Sequence, residues 1–193
     1  KKELGLKEND FVVLMIAELN ENKNQVQLIE AMEVLKDTYP EIKAICVGEG
    51  DKLLELQSEV KNRGLEGKVN FLGFRNDINE LINICNIGVL LSYREGLPRN
   101  LMELMACGKK MIATNIRGCR DIVVDKTVGE LVEVGDYKAT AKAIEEQYLY
   151  GDNEFIISKE IEKYDVKTIN EGLRFIYKQL EEGGYYHKEG YAY

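Results

Sequence analysis

The chain holds a single histidine, His187, and four scattered cysteines at 46, 85, 107 and 119, with no paired C-x-x-C spacing. So small a set supports neither a His/Cys metal centre nor a disulfide framework, and no acidic D-x-D triplet takes its place; no metal is expected. Three of the cysteines sit within or beside apolar runs, as buried free thiols do, which points to a reducing, cytoplasmic setting. No apolar stretch approaches the length of a membrane span, no signal peptide is read at the start, and internal repeats are lacking. Positive charge is in deficit. Lys and Arg number 26 against 34 Asp and Glu, a net charge of −8, which argues against nucleic acid as a partner. A phosphate ligand remains open, because backbone N–H groups and one or two cations suffice to hold one.

What is present is a rhythm. Apolar runs at 11–17, 42–47, 69–72, 87–91 and 111–113 read as strands buried on both faces, with a sixth short strand at 129–132. Helical patterns fall between them. Val26, Ile29, Met32 and Leu35 repeat within 24–38; a second helix covers 51–63 and stops at Gly64; Ile78, Leu81 and Ile82 mark a short third; another covers 136–149. Strands alternating with helices imply a parallel sheet with right-handed crossovers. The fold class is therefore α/β, a doubly wound, Rossmann-like parallel sheet with helices on both faces. The commonest order for six strands, 3-2-1-4-5-6, sets strand 1 beside strand 4, and ligands bind outside the carboxyl ends of those two strands. Loops 18–24 and 92–98 should then flank one crevice. Residues 1–150 are read as this domain. From 151 to 193 the pattern changes to two polar, charged helices, 154–163 and 166–182, and a tail, GGYYHKEGYAY, whose His187 is a poor candidate for a catalytic base.

The most informative stretch is 92–114, SYREGLPRNLMELMACGKKMIAT. Pro98 suits the first turn of a helix. Leu101, Leu104 and Met105 share one face, Asn100, Glu103 and Cys107 the other, and Gly108 is a natural stop. The helix N-terminus, with its free N–H groups, should lie just past a strand end, where an anion is favoured. Taken alone, Glu95 reads equally as a helix cap, and Arg99 with Glu103 as an i,i+4 surface ion pair.

The spacing of Glu95 and Glu103, the E-G-x-P that opens the stretch and the E-x-M-A-x-G that follows resemble the donor-site motif of the retaining nucleotide-sugar glycosyltransferases of family 4, which have the GT-B fold. The resemblance implies that Glu103 holds the ribose hydroxyls and that Glu95 faces the transferred sugar, with catalytic character. Gly96, Leu97, Asn100 and Leu101 would present N–H groups to sugar and phosphates. In AELNENKNQ, Lys23 matches the family lysine that contacts the donor diphosphate. Glu18 departs from the pattern, standing where the family has an arginine; Arg94, Arg99 or Arg117 would have to supply the missing cation. Gly48, in a G-x-G that fails as a dinucleotide fingerprint, lies where the family approaches the nucleoside. In FLGFRNDI the backbone at Phe74 and Arg75 would read the edge of the base, while Asp77 is expected to cap the third helix.

By this resemblance the chain, which starts Lys1-Lys2-Glu3 without a methionine, is the donor-binding part of a longer glycosyltransferase that makes polysaccharide or another glycan. Its donor would be a nucleotide-diphosphate sugar. An N-terminal acceptor domain would be braced by the C-terminal helices, the full enzyme would associate peripherally with the inner face of the membrane, and the fragment alone would be inactive. The alternatives are a nucleotide-sugar epimerase or phosphorylase of GT-B-like fold, and a non-catalytic nucleotide-binding domain, which Glu18 would favour.

Overall fold

The computed structural model describes residues 1–151. The two expected helices beyond 151, the bracing role given to them and the tail with His187 lie outside the described residues. Six strands are present: β1 (Phe11–Ile16), β2 (Ile42–Val47), β3 (Val69–Phe71), β4 (Ile87–Leu90), β5 (Lys110–Thr114) and β6 (Gly129–Val132). The helices are α1 (Gln25–Leu35), α2 (Leu53–Asn62), α3 (Ile78–Ile84), α4 (Arg99–Ala106), α5 (Arg117–Arg120) and α6 (Tyr137–Tyr150). All strand pairs are parallel and their order is β3-β2-β1-β4-β5-β6. The expected order is the one observed, and the chain reverses direction between β1 and β4.

The central strands are apolar without alternation because helices cover both faces. Val12, Val13 and Leu14 have no exposed surface, nor have Val89 and Leu90. In β1, Val13 and Leu14 pair with Ile87 and Gly88 of β4. Gly88 is where α4 lies down on the sheet: a Cβ there would stand 2.1 Å from Leu104 Cδ1. The buried face of α4 is Leu101, Leu104 and Met105, as its spacing predicts. The helix ends in a Schellman motif, with Gly108 at φ 67, its N–H bonded to the Met105 carbonyl at 3.0 Å and the Lys109 N–H to the Leu104 carbonyl at 2.9 Å. Pro98 differs slightly from expectation. It is the N-cap, extended at φ −74 and ψ 101, and the helix begins at Arg99.

A buried polar node fixes α1 to the far side of the sheet. Gln27, 1% exposed, donates to the Glu133 carbonyl at 3.1 Å and to Thr140 Oγ1 at 2.9 Å. Its Oε1 accepts from the Gly135 N–H and from Asn24 Nδ2 at 2.7 and 2.8 Å. Every polar group of that side chain is thus matched, as burial requires. The node hands rigidity from α6 to Asn24, the residue after Lys23.

Candidate functional site

The loop after β1 is shaped by three asparagines. Glu21–Lys23 form one 3-10 turn. Asn20 caps it, its Oδ1 accepting from the Lys23 N–H at 3.1 Å. Asn24 closes it with φ 53, the one positive φ among the described non-glycine residues, a conformation asparagine tolerates better than most. Asn24 Nδ2 reaches the Leu91 carbonyl at 3.3 Å. Asn22 joins the loop after β4: its carbonyl accepts from the Tyr93 N–H at 2.8 Å, its Oδ1 from the Arg94 N–H at 3.1 Å, and its Nδ2 donates to the Arg94 carbonyl at 3.0 Å. The two loops therefore meet over the β1–β4 junction, where the topology puts the crevice.

Lys23 and Glu95 are brought together there, Nζ to Oε1 at 2.5 Å, with side chains 22% and 11% exposed. Ser92, with no exposed surface, donates from Oγ to the same Oε1 at 2.6 Å. The Ser92 carbonyl in turn accepts from the Thr114 hydroxyl at the end of β5, at 2.7 Å. Oε1 thus carries both hydrogen bonds, and Oε2 receives none among the described residues. A carboxylate held by one oxygen, with the other available, is set to face a substrate hydroxyl or a developing positive charge. Below it lies α5, a single turn that no periodicity announces. A Cβ on Gly118 would meet the Gly96 carbonyl oxygen at 2.4 Å and that of Glu95 at 2.7 Å, so the Glu95–Gly96 backbone rests directly on this glycine. Next to it Cys119 is buried; loss of solvation, helped by the negative charge of Glu95, pushes its thiol up to about 11.

The first turn of α4 is tied to the end of β1 by Asn100, whose Nδ2 donates to the Ile16 carbonyl at 2.7 Å. Its Oδ1 takes the Leu101 N–H at 2.9 Å. Of the N–H groups expected to face a ligand, that of Leu101 is therefore already engaged, and the Leu101 side chain is in the core. Gly96 and Leu97 are exposed at the lip. Glu103 is exposed, and among the described residues it forms no ion pair with Arg99, so the surface-pair reading of these two is not realised.

On the other flank, Gly48 has φ 140, and a Cβ there would sit 2.1 Å from the Ala17 carbonyl oxygen. A side chain would separate β2's exit loop from that of β1. Gly50 is equally close to the Leu19 carbonyl oxygen. The G-x-G serves close backbone contact, and Gly48 N–H bonds to the Gly73 carbonyl at 2.9 Å. Phe74 is 67% exposed. Arg75 is held by both carboxylate oxygens of Asp77, at 2.7 and 2.5 Å, and by Glu3 at 3.4 Å. Asp77 occupies the N-cap of α3, but its side chain makes no capping bond. The guanidinium two residues away has captured it, and its hydrogen bonds, helped by its charge, hold the Asp77 carboxyl below its usual range. Glu18 is exposed, and its carbonyl accepts from Gln25 Nε2 at 2.9 Å.

The crevice is open rather than enclosed. One cavity of about 350 Å³ lies at the opposite, amino-terminal ends of the strands, beside Cys85, Asn86 and Lys109. Another, of about 300 Å³, adjoins the Lys23 loop and is lined in part by Asn24, Gln27 and Tyr93. Among the described residues no three His, Cys, Asp or Glu side chains cluster as metal ligands would. Asn22, Thr114 and Gly118 escaped the sequence reading because each acts through a contact distant in the chain; Ser92 acts on Glu95 three residues on, through a bond that no residue pattern announces.

With this geometry in place, comparison with known proteins gives a consistent answer. The family model described as glycosyl transferases group 1 matches residues 1–172. The putative glycosyltransferase EpsD of Bacillus subtilis (strain 168) is 42% identical over 144 residues, 75% of this chain and 38% of that protein. The Escherichia coli UDP-Gal:alpha-D-GlcNAc-diphosphoundecaprenol alpha-1,3-galactosyltransferase is 30% identical over 147 residues, 75% of this chain and 38% of that one. Among solved structures, Anabaena Alr3699/HepE in complex with UDP and glucose superposes with a TM-score of 0.83 at 29% identity, covering 92% of this chain and 50% of that chain. The chain thus spans 38% of the length of these two curated relatives.

Proposed function

The chain belongs to the glycosyl transferases group 1, and from that premise we propose that it is the donor-binding domain of a longer, retaining glycosyltransferase using a nucleotide-diphosphate sugar. The observation that carries this reading is the meeting of Lys23 and Glu95 at the β1–β4 junction, beside the N-terminus of α4. In this role the Lys23 ammonium turns from Glu95 toward the donor diphosphate. The first-turn N–H groups of α4 other than that of Leu101 add partial positive charge to the same place. Glu95, still held by Ser92, offers its second oxygen to the sugar as the anomeric carbon gains positive charge. Glu103 accepts from the ribose hydroxyls. The resemblance further implies that the departing diphosphate helps deprotonate the acceptor, so no protein nucleophile is assigned.

A uridine donor is the first choice. Its support is the likeness to a structure bound to UDP and to a transferase whose name specifies UDP-Gal. That transferase also names a diphosphoundecaprenol-linked acceptor, which supports a lipid-linked acceptor, glycan synthesis and peripheral attachment to the inner face of the membrane. The acceptor site belongs to a separate N-terminal domain of the full enzyme. Arg94, adjacent to Glu95, is the candidate to replace the cation lost at Glu18.

Thermal unfolding with UDP, GDP and ADP tests the reading. At a hundredfold excess over Kd, a bound nucleotide stabilises by about 2.7 kcal/mol. UDP should raise the melting temperature most, and Glu103→Ala should diminish the rise. No response to any of the three nucleotides would refute a donor site.

A further inference from the structure

We propose that Asn22 is a positioning residue whose side-chain amide clasps the β4 loop and thereby sets the register between Lys23 and Glu95. The proposal rests on the donor-site reading above and adds a residue that the family motif does not assign. Its basis is a match of atoms. Arg94 presents its N–H and its C=O to the same partner, and Asn22 meets both with Oδ1 and Nδ2, at 3.1 and 3.0 Å. Among uncharged side chains only the primary amides of Asn and Gln carry a donor and a strong acceptor side by side in one plane. Gln would place them one methylene too far out.

Register follows from adjacency. The Asn22–Arg94 contact and the Lys23–Glu95 contact both join residues 72 apart in sequence, so they are successive rungs of one pairing. A third bond, Tyr93 N–H to the Asn22 carbonyl at 2.8 Å, keeps the rungs aligned from the main chain. Lys23 alone could not hold this alignment. Its side chain is long and rotamer-rich, and in the working complex it must release Glu95 to reach a phosphate. The clasp is what remains when that ion pair opens. It keeps the ammonium within reach of both groups, so ordering it on each binding event costs less.

A double-mutant cycle on the UDP binding constant, by titration calorimetry, tests this with the parent, Asn22→Ala, Lys23→Ala and the double variant. Asn22→Ala should weaken UDP about fivefold, with an unchanged ligand-free melting temperature. In the Lys23→Ala background the same substitution should have little further effect, because Asn22 acts through Lys23. Factors that multiply in the double variant, or parent-like binding by Asn22→Ala, would overturn the proposal. So would loss of folding on Asn22→Ala, which would make the clasp a folding element. If the parent binds UDP and Lys23→Ala does too, equally well, the positioning role fails while the site stands. If the parent binds no nucleoside diphosphate, the donor-site reading itself fails.

Discussion

At the scale of single residues, small side chains and hydroxyls govern where Glu95 points. Ser92 holds one carboxylate oxygen, Thr114 holds Ser92, and Gly118 supports the backbone at Glu95 and Gly96. Gly118→Ala would place a methyl carbon at 2.4 Å from a carbonyl oxygen, inside any allowed contact, so the loop must move. Overpacking of this kind costs about 1–3 kcal/mol, and urea denaturation should show a loss in that range, with weakened nucleotide binding. Gly96→Ala is the contrasting case. A Cβ there meets nothing within 4 Å, and its stability should stay within about 0.5 kcal/mol of the parent. Equal losses in the two variants would contradict the packing described.

At the scale of elements, α4 was the most legible. Its buried stripe, its glycine stop and its place after a strand all follow from residue types within a short window. Gly108 at φ 67 closes it, so Gly108→Ala should cost about 1 kcal/mol by forcing a Cβ into the left-handed region, read as a lower urea midpoint at unchanged slope. The strands β2 and β6 fall at their expected bounds, because continuous apolar runs bounded by turn residues leave little choice. β5 extends one residue past its apolar run at each end, to Lys110 and Thr114, since backbone pairing with β4 and β6 continues where hydrophobicity stops. Helix α5 was not legible, being one turn long, with an identity set by the loop it supports. Asp77 fails to cap α3 for a local reason. Two residues before it stands Arg75, and a charge-assisted pair outcompetes a capping bond.

At the scale of the whole molecule, the sheet order brings the loops after β1 and β4 together, since a reversal between strands 1 and 4 leaves a crevice at that point. The motif supplied Lys23 and Glu95, and the topology supplied their meeting. What escaped was the fastening. Asn22 to Arg94, Asn100 to Ile16 and Gln27 to Thr140 all join residues 72 or more apart, and one sequence carries no local sign of such bonds. The helices and tail expected beyond 151 lie outside the described residues. The structure of this protein with a UDP-sugar bound tests the central claim most directly. The account predicts the diphosphate at the β1–β4 junction, within about 3 Å of Lys23 Nζ, with Glu95 turned to the sugar and still bonded to Ser92. A nucleotide seated away from that junction, with the Lys23–Glu95 pair intact, would contradict it.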